Sequence, residues 1–438
     1  MESNKVVKEE VQVKDQEQPK PAKQAAKTVG NDYNIPTENN DNTNLFSGVT
    51  LIGQGQGGTN LAILLEKSLR KVSSYSKLLV INTALSDLSI VNLPKERKFL
   101  LGDASGMGKN REEGKRVFWG EDGKSDEIFN KFVSENNQLF FGTNQLVIVC
   151  FSLGGGSGSS IGPKFVAKLT KYCATVDEKY VTVVDGKKVS VPIEPYRPNV
   201  IGIALCPDYQ NEMDNGIDTM QNSLEALKEI DVLVQNKIAS FMLVQNKVER
   251  TGNVNENIFE LTNQKVVRAF TKFIKNIGKS NSDTILDVRD RFNSLSIPGL
   301  MCFSTLENLE EYNMIPPAIG STISRLAGEL SYSNLEEKEL KYDKYFDFVS
   351  QFNIADNILG WNDVNISNLD NNDDILLLSG YSNLSSIIVP LRETLDRKLK
   401  SLENKDLQGK SFNNIDKLKS DRVNSMSKNI DVDINNLI

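Results

Sequence analysis

Histidine is absent from all 438 residues of the chain. That excludes Ser-His-Asp and Cys-His catalysis, histidine-ligated zinc and the imidazole proton relay. Chemistry must run on carboxylates, backbone dipoles, lysine, arginine or a bound ion. Cysteine is scarce as well. Cys150, Cys173, Cys206 and Cys302 contain no C-x-x-C pair, and three of them sit in apolar runs. Buried, reduced thiols of a reducing compartment are expected, not a disulfide frame. No apolar run reaches membrane-spanning length and no signal peptide is seen, so a cytoplasmic protein with no membrane partner is expected. A formal net charge of -7 argues against the whole molecule acting as a polyanion binder. The remaining composition, 39% apolar and 25% charged, is that of an ordinary globular protein, and the length suggests two or three domains.

Residues 1–45 are rich in Lys, Glu, Gln, Asn and Asp, with Tyr33 the one aromatic. Such a segment buries too little apolar surface to offset its ordering entropy, so a disordered tail is expected. From Phe46 the pattern changes. Gly48–Ile52, Lys77–Asn82, Leu146–Phe151, Asn199–Leu205 and Phe241–Gln245 read as buried strands. Helical spacing links Leu61, Leu64, Leu65, Leu69 and Val72, and recurs over 125–138, from about Ile161, and over 216–235. Val181–Val184, Asp185-Gly186 and Val189–Val191 read as a hairpin. Strands alternating with helices predict a parallel sheet covered on both faces, with ligands at the carboxyl ends of the strands. A long helix is predicted from about Asn255 to Gly278. Beyond it, strands are expected near Pro298–Ser304, Asp374–Ser379 and Ser385–Val389, and from about Lys400 a polar tail that is helical at its start. The expected units are therefore a tail (1–45), a nucleotide-binding domain (46–255), a central helix (256–278), a smaller α+β domain (279–399) and a second tail (400–438).

Two of the predicted strands run into glycine. The first turn is Gly53-Gln54-Gly55-Gln56-Gly57-Gly58-Thr59-Asn60; the second is Gly154-Gly155-Gly156-Ser157-Gly158-Ser159-Ser160. Glycine lets backbone N–H groups approach an anion, and the helix that follows adds its dipole. Gly53, Gly55 and Gly58 satisfy G-x-G-x-x-G, so a dinucleotide (NAD(P) or FAD) oxidoreductase is an alternative, but the acid wanted for the ribose is replaced by Ile81-Asn82-Thr83. A Walker P-loop is excluded. Gly108-Lys109, Gly123-Lys124 and Gly278-Lys279 carry Asp103, Phe118 and Phe273 where its first glycine belongs.

Two phosphate turns without a Walker lysine resemble the tubulin/FtsZ superfamily. Gly154–Ser160 resembles its GGGTGTG signature, and the GQGQGGTN turn its first nucleotide loop. Gly102-x-x-x-Gly106-x-Gly108-Lys109-Asn110-Arg111-Glu112-x-Gly114 resembles the loop over the terminal phosphate, in the form typical of the TubZ (plasmid and phage) branch. Ile81-Asn82-Thr83 resembles the loop after the second strand. The resemblance covers roughly 47–305. It implies a guanine-nucleotide site (GTP/GDP) made by Gly53–Gly57, Asn60, Asn82, Gly106, Gly108, Lys109, Asn110 and Gly154–Ser159. It further implies that Phe259 stacks on the base while Asn263 and Asn246 bond its edge, with Glu212 at the ribose. By pattern alone, Phe259 reads as a core residue and Asn263 as a solvated helix residue; the phosphate turns are what favour the base site.

The same resemblance implies GTP hydrolysis activated by polymerisation, with acids from one subunit entering the next subunit's site. Asn281, Asp283 and Asp287, in the loop 279–290, are the candidates, with Mg2+ beside the phosphates and no protein ligand assigned. Asp283 and Asp287 are four apart, against three in the FtsZ pattern N-x-D-F-x-D, and Asp283 also suits a helix N-cap. The implied product is a head-to-tail homopolymer that segregates or positions plasmid or phage DNA; an FtsZ-like role in cell division is the alternative. The acidic-apolar end, Ile430–Ile438, suggests a motif for a DNA-binding adaptor. The basic residues between Lys398 and Lys428 are interspersed with acids, so direct nucleic-acid binding is not indicated.

Overall fold

The Val, Ile and Leu runs become strands buried on both faces. In a computed structural model of the chain, β1 (Val49–Gln54) leads into α1 (Gly55–Leu69), then β2 (Lys77–Asn82), the short α2 (Leu85–Ser89) and β3 (Lys98–Leu100). Next come α3 (Arg111–Trp119), α4 (Glu127–Phe140), β4 (Leu146–Ser152) and α5 (Gly156–Thr175). A hairpin of β5 (Lys179–Val184) and β6 (Lys187–Pro192) precedes β7 (Asn199–Cys206), α6 (Ile217–Gln235), β8 (Ser240–Gln245) and the long α7 (Ile258–Lys275). The second half comprises α8 (Val288–Leu295), β9 (Gly299–Ser304), β10 (Thr322–Ile323), β11 (Arg325–Tyr332), α9 (Leu335–Val349), β12 (Asn353–Ile354), β13 (Val364–Asn368), β14 (Ile375–Tyr381) and α10 (Ser385–Gln408). The structure describes residues 48–71, 76–140, 146–175, 179–184, 187–192, 198–207, 216–246, 258–275, 288–354, 364–368, 374–408 and 437. All of them fall within one compact unit, Asp41–Ile438.

Ten strands form one sheet in the order β13-β11-β14-β9-β8-β7-β4-β1-β2-β3. From β9 to β3 every pairing is parallel, and β14 turns the sheet antiparallel against both β9 and β11. Chain order reverses between β1 and β4. Right-handed crossovers then send α1 to one face and α5 to the other, leaving a crevice where the two helices start. On one face α1 packs against α7; on the other, α5 packs against α3 and α6, and α6 against α10. The core is continuous across the sheet, with Leu51, Ile148, Ile203, Met242 and Leu377 all excluded from solvent.

Two expectations need correction. The run Ser385–Val389 is the start of α10, not a strand. Its β-branched residues suggest a strand, but burial falls on Leu384, Ile387, Leu391 and Leu395 at helical spacing, while Val389 is exposed. The two glycine segments are not loops that precede helices. Gly55–Gly58 and Gly156–Ser160 are themselves first turns, and α5 starts at Gly156, well before Ile161. Glycine permits this because the turns lie against strand backbone: a β-carbon on Gly58 would stand 2.1 Å from the Cys150 carbonyl oxygen. The hairpin register is as expected, Val184 opposite Lys187, with its turn, Asp185-Gly186, outside the described residues. The tails 1–45 and 409–436 also lie outside them. Leu437 is described and buried against the core.

Candidate functional site

The switch point of the sheet carries both glycine turns. Gln54 ends β1 opposite Phe151 of β4. It stands as N-cap to α1 in an extended conformation and makes no capping bond. Gly55 follows at φ +64°, a left-handed conformation that would strain any residue with a β-carbon. The two turns touch. A β-carbon on Gly55 would lie 3.3 Å from the Gly158 nitrogen, and one on Gly158 would lie 2.7 Å from the Ser152 carbonyl oxygen and 3.4 Å from that of Gln54. Two helix N-termini, each with unbonded backbone N–H groups, thus open side by side at one edge of the sheet. That is an arrangement for anionic groups.

Two further segments close on this edge. At the end of β2, Asn82 Oδ1 accepts from the backbone N–H groups of Thr83 and Ala84, and its Nδ2 donates to Asp87. Thr83 and Ser157 hydroxyls share a bond of 2.7 Å, joining this turn to the second glycine turn. The segment 101–110 is fastened to it by backbone bonds from Gly106 to Thr83 and from Leu85 to Ala104. Gly102, Ala104, Gly106, Gly108 and Lys109 all have positive φ. Left-handed Ala104 and Lys109 are costly and persist only where neighbours hold them. Asn110 caps α3 by accepting from Glu113 N–H. Lys109 Nζ donates to Thr219 Oγ1 at 2.9 Å. The side chains of Asn82, Lys109 and Asn110 are therefore engaged within the protein, which leaves backbone groups as the main donors on this side.

A third part of the site lies where α1 meets α7. Ser68 and Thr271 hydroxyls bond at 2.7 Å, and Leu64 and Ser68 share a groove with Gln264, Val267 and Thr271. The helices thus run in the same direction with a common register. Phe259 is 58% exposed, so it is not a core residue, and Asn263 is buried, so it is not a solvated one. Asn246 follows β8, its N–H bonded to the Cys206 carbonyl, and is buried too.

Unpartnered polar atoms mark this region. Asn246 Oδ1, Asn263 Oδ1, Thr59 Oγ1 and both amide atoms of Gln54 are buried with no hydrogen-bond partner. Leaving such groups unpaired costs about 1–3 kcal/mol each, so a ligand that supplies partners is strongly favoured. Both asparagines are short of donors.

Sequence reading missed the support behind the turns. Arg111, buried at the start of α3, donates to the Ser159 carbonyl at 3.2 Å and pairs with Glu225 and Glu229 of α6. Burial works against the Arg111 charge, but the two carboxylates more than offset it and hold its pKa above the ordinary value. Burial likewise pushes Glu229 up, and Arg111 and Lys115 bring it below the usual carboxylate value. Nothing local in the sequence signals these contacts, which join residues 48 or more positions apart. The candidates Glu212, Asn281, Asp283 and Asp287 lie outside the described residues. All four cysteines are free and buried, and burial pushes the Cys206 and Cys302 thiols up to about 12. No helix among the described residues is long and apolar enough to cross a membrane.

A parallel sheet with paired glycine turns at its switch point, a long helix after the sixth parallel strand and an antiparallel extension define a class: the tubulin/FtsZ fold. Solved structures bear this out. A GTPγS-form protofilament of Bacillus thuringiensis serovar israelensis TubZ superposes with a TM-score of 0.63 at 15% identity, over 84% of this chain and 97% of that one. TubZ of Clostridium botulinum phage c-st gives 0.56 at 14%, over 82% and 99%. CetZ2 from Haloferax volcanii, a GTPγS-bound protofilament, gives 0.55 at 18%, over 80% and 99%. The tubulin-like protein CetZ of Methanothrix thermoacetophila is 29% identical over 119 residues, which span 27% of this chain and 29% of that relative. No protein-family model matches. The particular chain described here is thus tubulin-like in fold, with structural likenesses among the TubZ and CetZ proteins.

Proposed function

We propose that this chain is a guanine-nucleotide-binding, filament-forming GTPase. The observation that carries the reading is the pair of buried, donor-seeking carboxamide oxygens of Asn246 and Asn263, in a sheet whose switch point carries two helix N-termini suited to phosphates. Gln54 to Gly57 and Gly154 to Ser159 hold the phosphates through backbone N–H groups. Segment 102–110 covers the terminal phosphate. Phe259 stacks on the base, Asn246 and Asn263 bond its edge, and Glu212 reaches the ribose. Mg2+ neutralises phosphate charge, mostly water-ligated. The nucleotide-bound protofilaments of TubZ and CetZ support the same assignment by likeness.

Hydrolysis then runs by positioning and charge stabilisation, without a covalent intermediate. Asp283, with Asp287 and Asn281, orients water in the neighbouring subunit's site, so assembly activates turnover. The contact is heterologous and gives open filaments. Within this reading the filament moves or positions plasmid or phage DNA through an adaptor bound to the C-terminal tail; the form of segment 102–114 favours this over a division role. The dinucleotide alternative needs an acid at the end of β2, where Asn82 stands. The test is direct. Purified protein retains guanylate, and GTP with magnesium raises its light scattering; a protein that stays monomeric and retains none overturns the reading. Asp283→Ala keeps binding and assembly but loses most turnover. Phosphate release at the wild-type rate in that variant removes Asp283 from the mechanism.

A further inference from the structure

Segment 101–110 and the second glycine turn come from different parts of the chain, yet one side chain joins them. Asn222, buried on α6, donates through Nδ2 to the Lys109 carbonyl at 2.8 Å and to the Gly154 carbonyl at 3.4 Å. One turn earlier on the same helix, Thr219 accepts from Lys109 Nζ. Its methyl lies against Gly154, where a β-carbon would come within 2.5 Å. One and two turns later, Glu225 and Glu229 hold Arg111, the second residue after Lys109. Both sides of the left-handed Lys109 peptide are therefore fixed to α6. Without these bonds a lysine has little reason to stay at φ +67°.

We propose that α6 acts as a clasp on the phosphate end of the site, with Asn222 as its central positioning residue. Asn222 touches no nucleotide. It registers the covering segment against the second glycine turn, and with Thr219 it holds the Lys109 ammonium at the Gly154 end of the cradle. This rests on the guanine-nucleotide reading above and adds to it a determinant of discrimination between tri- and diphosphate. A group that positions only the covering segment acts on the terminal phosphate and leaves the rest of the ligand untouched.

The experiment compares GTPγS and GDP affinities, by fluorescent-analogue competition, in the full-length wild type, Asn222→Asp and Thr219→Val. Asn222→Asp keeps the shape but removes the donor; Thr219→Val removes the acceptor for Lys109. Each variant is expected to weaken GTPγS by about tenfold, the scale of one lost buried hydrogen-bond partner, and to change GDP by less than about twofold. A merely structural role lowers both affinities together and leaves their ratio at the wild-type value, which overturns the proposal. If Asn222→Asp does not fold, Thr219→Val decides by the same ratio. Wild type that binds neither nucleotide overturns the function proposed above and this inference with it. Wild type that binds both, with variants of unchanged ratio, overturns this inference alone.

Discussion

Replacing Gly58 by alanine tests whether the first glycine turn is set by close packing. The added methyl would stand 2.1 Å from the Cys150 carbonyl oxygen, 2.6 Å from its carbon and 2.7 Å from the Phe151 α-carbon. These are backbone atoms of a central strand, so no side chain can rotate out of the way. Ordinary contact begins at 3.4 Å, so α1 must move off β4 by about 1.3 Å, the difference between the two distances. Overpacking of this kind costs about 1–3 kcal/mol, and alanine's helix preference recovers at most about 1 kcal/mol. The shift also carries Gly55 and Gln56 away from the second turn, and a displacement of roughly 1 Å at a reacting centre can cost about 100-fold in rate. Urea unfolding should therefore show Gly58→Ala destabilised by about 1–2 kcal/mol, with GTP turnover reduced far more than that loss explains. Gly155→Ala is the control, since nothing lies within 4 Å of its added β-carbon; its stability should stay within about 0.5 kcal/mol of wild type. A Gly58→Ala protein with wild-type stability and turnover would refute the packing argument.

Two further predictions concern buried charge and buried amides. Arg111→Leu removes the buried partner of Glu225 and Glu229, and because Lys115 still pairs with Glu229 it should cost about 3 kcal/mol in urea unfolding, the low end for a broken buried pair. Because the folded Glu229 carboxyl is held below its ordinary value of 4.5, its stabilisation is present above that pH and lost as pH falls through the folded value. The stability gap between wild type and variant should therefore be widest near neutral pH and narrow as pH falls through that range; a gap that does not change with pH would show that the pair is not coupled. Asn263→Leu removes a buried carboxamide whose Oδ1 has no hydrogen-bond partner. The free protein should be unchanged or up to about 1 kcal/mol more stable, while retained guanylate is lost. A destabilised variant that still carries guanylate would count against the base site.

Much of the phosphate side was legible from residue order. Strands of uninterrupted Val, Ile and Leu can only sit inside a covered parallel sheet, and glycine at their carboxyl ends has few uses other than close approach. Hence β1, β2, β4, β7 and β8 stand where the periodicity puts them, and so do the turns after β1 and β4. Ser385–Val389 failed because β-branched residues favour a strand only when no helix can bury every third or fourth of them, and here α6 and its neighbours do.

The sequence by itself determined the alternation of elements, the two glycine-rich first turns and the absence of imidazole chemistry, because each depends on residues close together in the chain. Tertiary structure alone decided which amides are left without partners, that Arg111 is neutralised inside the protein, and that α6 grips segment 101–110. Those facts depend on which distant backbone and side-chain groups meet once water is excluded, and no local pattern encodes that pairing.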